Sequence, residues 1–346
     1  MTLQPILSAE AVDELRRLVD GATHVVMFCH QNADGDAIGS MAAATLLLRR
    51  LGKTVTAVAP NNFPDFLLWI PTASEVVQAD RMMNRVDEAL AEADLVLMLD
   101  FNTPKRMGDE LAGRVLACEV PKVMIDHHLD PTVDAAICIS HPEASSTCEL
   151  VFRLVWQLGL FDQLTKHFAV PVYCGMMTDT GGFTYNSCDP DIFFIISQLL
   201  TKHINKDKIY RNVYHNFSEN RLRLTGFVMY QRLVVDPQRH ASYFTITRDD
   251  MRRFHFVKGD AEGLVNMPLQ IKGHKLSISL REDTEKDNLI WVSLRSVDQF
   301  PCNEMAARFF NGGGHLNASG GRLYCSLAEA VKVTQQAILA FEAQLK

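Results

Sequence analysis

Residues 24–40 of the chain read HVVMFCHQNADGDAIGS. The first six residues form a short apolar run with two valines, which predicts a buried strand. A polar loop follows, and residues 37–51 then have the pattern of a helix, which Gly52 ends. A buried strand, a polar loop and a helix in this order are the repeating unit of a parallel α/β sheet.

Further short apolar runs continue this alternation of strands and helices. They predict strands over residues 54–59, 94–99, 122–125 and 136–139. Ser146 and Glu149 have the spacing of a capping box before the helical stretch CELVFRLVWQLG, residues 148–159. Short apolar strands that alternate with helices predict a parallel sheet covered by helices on both faces.

The pattern changes after residue 190. Residues 191–233 lack strand-like alternation and are expected to form a helical connector. The residues that follow predict strands of a half-exposed sheet over 242–247, 274–280 and 289–295. They also predict two helices, over 303–310 and 327–345. The expected fold class is α/β, with a parallel-sheet domain over 1–190, the connector over 191–233 and a smaller α+β domain over 234–346.

The composition is that of an ordinary globular chain. Of its 346 residues, 47% are hydrophobic and 22% are charged, which excludes a disordered or collagen-like chain. The 34 Lys and Arg residues against 41 Asp and Glu residues give a net charge of −7. This charge argues against a protein that coats long duplex DNA. It leaves open a local pocket for a short anionic ligand.

The cysteines and the apolar segments predict where the protein works. The eight cysteines include no CxxC pair, so neither a zinc ribbon nor a thioredoxin-type motif is predicted, and we expect reduced, mostly buried thiols. The N-terminus lacks a basic start followed by an apolar core, and no apolar run approaches 18 residues. We therefore expect a cytoplasmic protein without a membrane partner.

Side chains that can bind a metal follow several of the predicted strands. In an open parallel sheet, ligands bind beyond the carboxyl ends of the strands. These segments, and one after a later small apolar run, supply His30, Asp34, Asp36, Asp100, Asp126, His127, His128 and Asp179. Carboxylates and imidazoles without a thiol suit Mn²⁺ or Mg²⁺, and to a lesser degree Zn²⁺ or Fe²⁺.

Each of these segments alone has an ordinary explanation, because a lone aspartate is often a helix cap and a lone histidine is often structural. Four such segments together favour a metal site. Asp34 and Asp36 are two residues apart, so in an extended loop they would point to the same side and could each hold a different ion. Two ions about 3.5–4 Å apart could share a carboxylate and clamp a phosphoryl group.

A second candidate region is the glycine-rich stretch NGGGHLNASGG, residues 311–321. Consecutive glycines let the backbone approach a ligand, and their amides can form a nest that binds an anion. His315 would add a cationic or hydrogen-bonding group for a phosphate. The alternative is a tight turn between a helix and a strand, although three glycines in a row exceed what a turn needs.

Together these segments resemble the DHH/DHHA1 phosphoesterase superfamily. The matching motifs are HQNADGDAIGS (30–40), LDFNTPKRMG (99–108), IDHH (125–128), GMMTDTGGF (175–183) and NGGGHLNASGG (311–321), the last preceded by WVSLRS (291–296). The resemblance covers about residues 20–330. The length and the short connector are most similar to the nano-RNase and pAp-phosphatase branch, which also contains proteins labelled exopolyphosphatase-related.

The resemblance implies roles for the candidate metal ligands. It implies that one ion is held by His30 and Asp34 and the other by Asp36, His127 and Asp179, with Asp100 as the bridge between them. Asp126 would orient the neighbouring imidazole. His128 would face the scissile phosphate and donate a proton or a hydrogen bond to it.

The resemblance also implies which residues bind the substrate. Gly313, Gly314 and His315 would hold a substrate phosphate, and Arg295 and Arg106 are further candidates that also have ordinary surface explanations. Ser319 departs from the alanine that is usual in the family, which leaves fine substrate preference open. The aromatic residues that flank the motifs, as candidates for base stacking or else for core packing, are Phe101, Phe183 and Phe310.

The expected substrate is small. The metals would lie on the larger domain and the glycine-rich stretch on the smaller one, so the substrate would lie in a short cleft that the connector could open and close. Such a cleft favours a 3′,5′-bisphosphonucleoside or an oligonucleotide of a few residues. We therefore expect a Mn²⁺-dependent phosphoesterase, with Mg²⁺ or another divalent ion as a substitute, that digests short RNA as an exonuclease and hydrolyses pAp.

Other functions stay open at this stage. One alternative is hydrolysis of linear or cyclic dinucleotides such as pApA or cyclic di-AMP, and another is exopolyphosphatase activity. A catalytically inactive nucleotide-binding protein would require lost ligands, and every proposed ligand position carries a competent side chain. The oligomeric state is also open, with a homodimer as one outcome.

Overall fold

The computed structural model of the chain describes residues 3–257 and 259–346. The chain divides into two compact units, a first unit that ends at Asn216 and a second unit, Phe217–Lys346. The division falls within residues 191–233, where the sequence predicts a helical connector. The predicted division into three parts stays a prediction.

The first unit is built on a parallel sheet. In the part of the chain that the structure describes, this sheet has six strands: β1 (His24–Phe28), β2 (Thr54–Ala59), β3 (Val77–Gln78), β4 (Leu95–Leu99), β5 (Lys122–Asp126) and β6 (Ile137–Ser140). Every neighbouring pair in the spatial order β3-β2-β1-β4-β5-β6 is parallel. The strand order reverses beside β1, which is the position where open α/β sheets bind ligands.

Helices cover both faces of this sheet. The helices of this unit are α1 (Ala9–Gly21), α2 (Gly35–Arg50), α3 (Ala79–Glu92), α4 (Asp109–Ala117), α5 (Thr147–Gln157), α6 (Lys166–Asp179), α7 (Pro190–Thr201) and α8 (Lys206–Tyr214). Of these, α6 packs on α2 and α5, and α7 and α8 pack on α6. Adjacent residues of a strand point to opposite faces, so Val25 and Met27 of β1 lie in one apolar cluster and Val26 and Phe28 in another. The predicted parallel sheet with two covered faces is confirmed.

The second unit contains a mixed sheet. Its strands are β7 (Leu233–Asp236), β8 (Ala241–Ile246), β9 (Leu276–Glu282), β10 (Leu289–Ser296), β11 (Gly313–Gly314) and β12 (Ala318–Tyr324), in the spatial order β11-β12-β10-β9-β8-β7. The pair β8–β9 is parallel and the other pairs are antiparallel. Its helices are α9 (Glu219–Phe227), α10 (Arg248–Arg253), α11 (Cys302–Phe309), α12 (Leu327–Ala340) and α13 (Glu342–Leu345).

The second sheet is apolar on both faces at β8, since adjacent residues of that strand lie in two different apolar clusters. The predicted half-exposed sheet is therefore wrong for β8 and β9, which are almost entirely buried. Leu276, Ile278 and Leu280 of β9 alternate into a cluster that also contains Met305 of α11 and Ile338 of α12. The intervening serines of β9 point to the other face. This arrangement confirms the predicted smaller α+β part.

The glycine-rich stretch differs from its prediction. The sequence analysis left open an anion-binding nest or a tight turn over this stretch, but Gly320 and Gly321 lie inside β12 and pair with β10. A Cβ on Gly321 would overlap the carbonyl oxygen of Phe310, and a Cβ on Gly312 would overlap the backbone of Gly320. Several of these glycines are therefore required by close backbone packing, and the turn itself is limited to residues 315–317.

The thiols follow their prediction in part. All eight cysteines lie in the described residues and are free, and Cys29, Cys148, Cys174 and Cys302 are buried. Cys138 and Cys188 are exposed, so the expectation of mostly buried thiols is correct for only half of them. Among the described residues, no helix combines the length and the apolar character needed to cross a bilayer.

Candidate metal centre

His30 lies directly beyond β1 with its side chain almost fully buried. Its Nδ1–H donates a hydrogen bond to the carbonyl oxygen of Gln31 at 2.8 Å, which leaves a lone pair on Nε2. Nε2 lies 3.4 Å from Asp100 Oδ2 and 4.0 Å from Asp34 Oδ2. Among the described residues, Nε2 has no partner in a well-formed hydrogen bond. This nitrogen is therefore oriented as a metal ligand would be.

Asp34 and Asp36 are arranged differently from the extended loop that the sequence predicts. The helix α2 begins at Gly35, two residues before the predicted start at residue 37, so Asp34 is its N-cap and Asp36 lies in its first turn. Asp34 Oδ1 accepts hydrogen bonds from the amides of Asp36 and Ala37 at 3.0 and 3.1 Å. Its other oxygen faces His30.

The fully buried Asp36 is held by the start of α5. Its Oδ2 accepts a hydrogen bond from the amide of Thr147 at 2.6 Å, and its Oδ1 accepts one from the amide of Cys148 at 2.9 Å. The N-terminus of a helix carries unpaired amides and a partial positive charge, which stabilise a carboxylate. Asp36 is thus fixed by a contact between residues 111 positions apart in the chain.

Asp100 follows β4 and is the central carboxylate of the site. Its φ of +67° is in the left-handed region, which Asp adopts more readily than most residues. Its Oδ2 faces His30, while its Oδ1 lies 3.7 Å from His127 Nε2 and accepts a hydrogen bond from the Thr147 hydroxyl at 3.0 Å. The buried Asp100 therefore contacts donor groups on both sides.

His127 and Asp179 complete the site on its other side. His127 follows β5, and its Nδ1–H donates to the carbonyl oxygen of Ala144 at 3.3 Å. Its Nε2 lies 3.2 Å from Asp179 Oδ2 and 3.9 Å from Asp36 Oδ2. Asp179 is the last residue of α6, whereas the sequence analysis treated its segment like a strand end. The run before Asp179 is apolar on all sides of a buried helix, so periodicity could not distinguish a helix from a strand.

Asp126 and His128 form a separate pair beside these ligands. His128 Nδ1–H donates to Asp126 Oδ1 at 2.7 Å, and Asp126 is fully buried. His128 Nδ1 also lies 3.8 Å from Asp100 Oδ1. The imidazole that Asp126 orients is therefore that of His128, next to the central carboxylate.

The donor atoms fall into three overlapping groups, each with its atoms within 4.8 Å of one another. These groups are His30, Asp34 and Asp100; Asp36, His127 and Asp179; and Asp100, His127 and His128. The structure thus brings together all six side chains that the sequence analysis proposed as metal ligands. Imidazole nitrogens among carboxylate oxygens, with no thiol in the groups, fit a divalent ion of the Mn²⁺ or Mg²⁺ type.

The electrostatics of the cluster also fit a bound cation. Burial raises the pKa of Asp36 well above its usual range, and the charges of Asp100 and Asp179 raise it further. Burial likewise raises the pKa of Asp179, to about 6. Burial would lower the pKa of His127, but the Asp179, Asp100 and Asp36 carboxylates outweigh it and raise the pKa to about 10. Without a metal, protons on the imidazoles and on the carboxyl groups of raised pKa would have to offset the negative charge of the cluster.

Glycines allow the helices that carry these ligands to approach closely. A Cβ on Gly175 of α6 would overlap Cys148 Sγ and would lie 2.7 Å from Asp36 Oδ1. A Cβ on Gly39 of α2 would lie 2.7 Å from the carbonyl oxygen of Pro171 in α6. The close contact of α2, α5 and α6 therefore positions Asp36 and Asp179.

Arg106 is the candidate substrate residue that lies near the candidate metal ligands. Its short 3₁₀ turn, Pro104–Met107, is joined to the loop after β1 because the Gln31 amide donates to the Arg106 carbonyl oxygen at 2.7 Å. The positive charge of the guanidinium is close enough to His30 to oppose the rise in the pKa of that imidazole. Its Nη1 is buried and has no hydrogen-bond partner among the described residues. A buried guanidinium nitrogen without a hydrogen-bond partner, near candidate metal ligands, is suited to a phosphate oxygen.

The other candidate substrate residues lie in the second unit. Arg295 is on β10, with Ala318 of β12 as its register partner, and its Nη1 donates to the Leu294 carbonyl oxygen at 2.9 Å. Gly313 and Gly314 form β11 and are exposed. The His315 amide donates to the Ala318 carbonyl oxygen at 2.8 Å, and the Ser319 hydroxyl donates to the His315 carbonyl oxygen at 2.8 Å. The serine that departs from the family pattern therefore stabilises the turn at His315.

The phenylalanines named as candidates for base stacking are mainly core residues. Phe101 and Phe310 are fully buried, so the prediction of core packing is the correct one for both. Thr147 and Cys148, whose amides hold Asp36, were not predicted as site residues. The capping-box pattern at Ser146 marks this helix start and was the available signal, since helix N-termini attract carboxylates.

Comparison with known proteins identifies the class of the chain. Residues 24–176 match the DHH family, N-terminal domain. The bifunctional oligoribonuclease and PAP phosphatase NrnA of Thermus thermophilus is 26% identical over 329 residues, which cover 90% of this chain and 87% of that protein. The protein of the same name from Bacillus subtilis is 26% identical over 322 residues, which cover 90% of this chain and 93% of that protein.

A solved structure resembles the chain along nearly its whole length. The crystal structure of an exopolyphosphatase-related protein from Bacteroides fragilis is 47% identical, has a TM-score of 0.95 and covers 99% of both chains. The chain therefore belongs to the DHH family of phosphoesterases, and the predicted enzyme class, a hydrolase of phosphate esters, is confirmed. Five of the six candidate ligands lie within the family match, and Asp179 lies three residues beyond its end.

Proposed function

We propose that this chain is a Mn²⁺-dependent phosphoesterase that removes mononucleotides from short oligoribonucleotides and also hydrolyses 3′,5′-bisphosphonucleosides such as pAp. The observation that carries the proposal is the position of Asp100, with one carboxylate oxygen toward His30 and the other toward His127. Two relatives named as oligoribonuclease and PAP phosphatase, each aligned over 90% of the chain, support the choice of substrate.

The donor groups suggest how two divalent ions would be held. His30 and Asp34 would bind one ion, Asp36, His127 and Asp179 would bind the other, and Asp100 would bridge them. Bound ions would supply a water nucleophile of lowered pKa and positive charge to offset the negative charge that develops on phosphoryl oxygens. Thr147 has a supporting role, because its hydroxyl donates to Asp100 and its amide to Asp36.

His128 would act on the scissile phosphate. Its Nδ1–H is committed to Asp126, so the ring orientation is fixed and Nε2 is the atom that would donate a proton or a hydrogen bond to the phosphate. Asp126 is then a positioning residue, because it acts through the imidazole of His128. Its burial keeps the carboxylate in place as a hydrogen-bond acceptor.

The remaining candidates would bind substrate phosphates. Arg106 has the strongest structural support, since its buried Nη1 has no partner among the described residues and its charge affects His30. Arg295, Gly313, Gly314 and His315 would bind a phosphate from the second unit. Charged guanidinium groups and exposed glycine amides both suit phosphate oxygens.

A panel of substrates tests this proposal. The purified chain would be incubated with Mn²⁺ or with a chelator and given RNA dimers to pentamers, pAp, pApA, cyclic di-AMP and inorganic polyphosphate. We expect release of mononucleotides from the RNA and of phosphate from pAp in the presence of Mn²⁺ only. If the enzyme hydrolyses cyclic di-AMP or polyphosphate faster than RNA and pAp, the proposed substrate class is wrong. A chain that binds no Mn²⁺ in calorimetry and hydrolyses none of them would contradict the proposal as a whole.

A further inference from the structure

Two exposed tyrosines lie next to the residues that follow Asp179. Tyr185 is 52% exposed and Tyr210 is 42% exposed, although both are large aromatic side chains. Tyr185 belongs to the loop after α6, and Tyr210 is on α8. Neither residue takes part in the proposed metal chemistry, and neither is among the predicted site residues.

The backbone directly after Asp179 supports both rings. Gly181 and Gly182 have φ values of +55° and +74°, which turn the chain sharply away from the end of α6. A Cβ on Gly181 would overlap the ring of Tyr185, and a Cβ on Gly182 would lie 3.4 Å from Tyr210 Cε2. Two consecutive glycines, two and three residues after a proposed metal ligand, therefore each lie against one tyrosine ring.

Neighbouring aromatic residues hold Tyr210 in place. Its ring centroid is 4.8 Å from that of Tyr214, with the planes tilted by 49°, and 5.3 Å from that of His215, with the planes at 89°. Tyr214 is itself fixed, because its hydroxyl donates to the Met177 carbonyl oxygen at 3.1 Å. Tyr210 is thus pre-ordered, which lowers the entropy that a bound ligand would lose.

A role in core packing does not explain these tyrosines. Phe183, in the same loop, shows what packing requires: it lies partly buried with its ring centroid 5.5 Å from that of Tyr173. Tyr185, two residues later, keeps more than half of its surface exposed. A large aromatic surface that stays exposed next to residues that follow a proposed metal ligand is suited to a flat, apolar part of the substrate.

We propose that Tyr185 and Tyr210 form a stacking platform for a nucleobase of the substrate whose phosphate is hydrolysed at the metal centre. This inference rests on the proposed function and narrows it, because a platform of this kind selects phosphate esters that carry a base over inorganic polyphosphate. Stacking on aromatic side chains tolerates any base, so the platform gives affinity without sequence preference.

The experiment compares variants on substrates with and without a base. The substrates are an RNA dinucleotide and two abasic counterparts, one lacking the 5′ base and one lacking the 3′ base. The variants are Tyr210→Leu, which keeps apolar packing, Tyr210→Phe, which keeps the stacking ring, and Tyr185→Leu with Tyr185→Phe. Tyr230→Leu is the matched control, since Tyr230 is 85% exposed and lies in the second unit.

We expect the Leu variants to raise KM for the complete dinucleotide by about tenfold with little change in kcat. The Phe variants and Tyr230→Leu should behave like the wild type. For one of the two abasic substrates, the KM of the wild type should already be higher than its KM for the complete dinucleotide. The Leu variants should not raise the KM for that abasic substrate any further. That substrate identifies which base stacks.

Two results would overturn the platform while leaving the proposed function in place. One is an unchanged KM for the dinucleotide in both folded Leu variants. The other is an equal loss on the complete and both abasic substrates, which would indicate a structural role. If the wild type hydrolyses only polyphosphate, the proposed function and the stacking platform are both wrong. This result can be told apart from the other two because it is obtained with the wild type, before any variant is made.

Discussion

At the residue scale, the site depends most on Asp100, because the two halves of the candidate centre meet at its carboxylate. The left-handed backbone at this position, with φ of +67°, directs one oxygen toward His30 and the other toward His127. Asp and Asn are the non-glycine residues that adopt this conformation most readily. The position therefore allows a substitution that removes the charge and keeps the turn.

We expect Asp100→Asn to lower kcat/KM on an RNA dinucleotide by more than about 100-fold and to weaken Mn²⁺ binding. The amide keeps the size of the side chain and the backbone preference but provides no anionic bridge. Kinetics and calorimetric titration with Mn²⁺ measure the two effects, and circular dichroism checks the fold. Asp109→Asn, at an exposed aspartate at the start of α4, is the matched control. Normal turnover by folded Asp100→Asn would eliminate the proposed metal site.

The identity of the candidate ligands could be predicted from the sequence, but the hydrogen bonds that hold these ligands in place could not. Carboxylates and imidazoles after buried strands indicate His30, Asp100 and His127 without any structure, since parallel strands end at one edge of a sheet. The hydrogen bonds that hold Asp36 come from residues more than 100 positions away in the chain. No local pattern specifies such a contact, because it depends on how helices pack.

At the scale of elements, the contact of α2, α5 and α6 is what positions Asp36. We expect Gly175→Ala to destabilise the protein by about 1–3 kcal/mol, because the added methyl group would overlap Cys148 and press against the Asp36 carboxylate. Activity should fall as well, since Asp36 would move. Chemical denaturation and turnover on the RNA dinucleotide measure both effects.

The control for this substitution is a glycine with room around it. Gly113 is exposed inside α4, and a Cβ there would meet no other atom within 4 Å. Gly113→Ala should stabilise the protein by about 0.5–1 kcal/mol, because alanine is the better helix former. Equal stability of Gly175→Ala and the wild type would contradict the prediction, because it would show that α2, α5 and α6 can move apart enough to accept the added methyl group.

A second element-scale prediction concerns the cap of α10. Asp250 accepts two hydrogen bonds from Arg232, at 2.8 and 3.0 Å, and one from the Thr247 amide at 3.0 Å. Burial would raise the pKa of Asp250, but these partners outweigh it and lower the pKa. A carboxyl group with a lowered pKa in the folded state contributes stability above its unfolded pKa, and this contribution is lost as pH falls through the folded pKa.

We expect Asp250→Asn to cost about 2 kcal/mol at pH 7, and the difference from the wild type to shrink as pH falls below about 4. Denaturant unfolding at several pH values measures it. Asp249→Asn is the matched control, since Asp249 and its partner Arg252 are both largely exposed. A difference that stays constant between pH 7 and pH 3 would show that the carboxylate charge does not stabilise α10.

Elements were predictable where apolar runs were short and bounded by polar loops. Strands β1, β2, β4, β5 and β6 follow their predicted ranges closely for this reason. Helix α3 was not predicted, and it has neither a capping side chain at its start nor regular backbone at Met82. β11 and β12 were not predicted either, because glycine is generally unfavourable in strands. In these strands close backbone packing leaves no room for a side chain at several positions, so glycine is required there.

At the scale of the whole molecule, each compact unit has its own apolar clusters. In the described part of the chain, two clusters contain only residues of the first unit and two contain only residues of the second. All six candidate metal ligands precede Asn216, whereas Arg295 and His315 lie in the second unit. The proposed metal binding and part of the proposed phosphate binding are therefore assigned to different units.

The last prediction follows from this separation. A fragment that ends at Asn216 should fold, because a unit of this size with its own buried clusters exceeds the size at which single domains become marginal. It should bind as much Mn²⁺ per chain in calorimetry as the full chain does. It should hydrolyse the RNA dinucleotide at least about 100-fold less efficiently, because the guanidinium of Arg295 and the glycine amides are missing. A folded fragment that binds no Mn²⁺ would mean that the six ligands are insufficient. Full activity in the fragment would exclude the second unit from substrate binding.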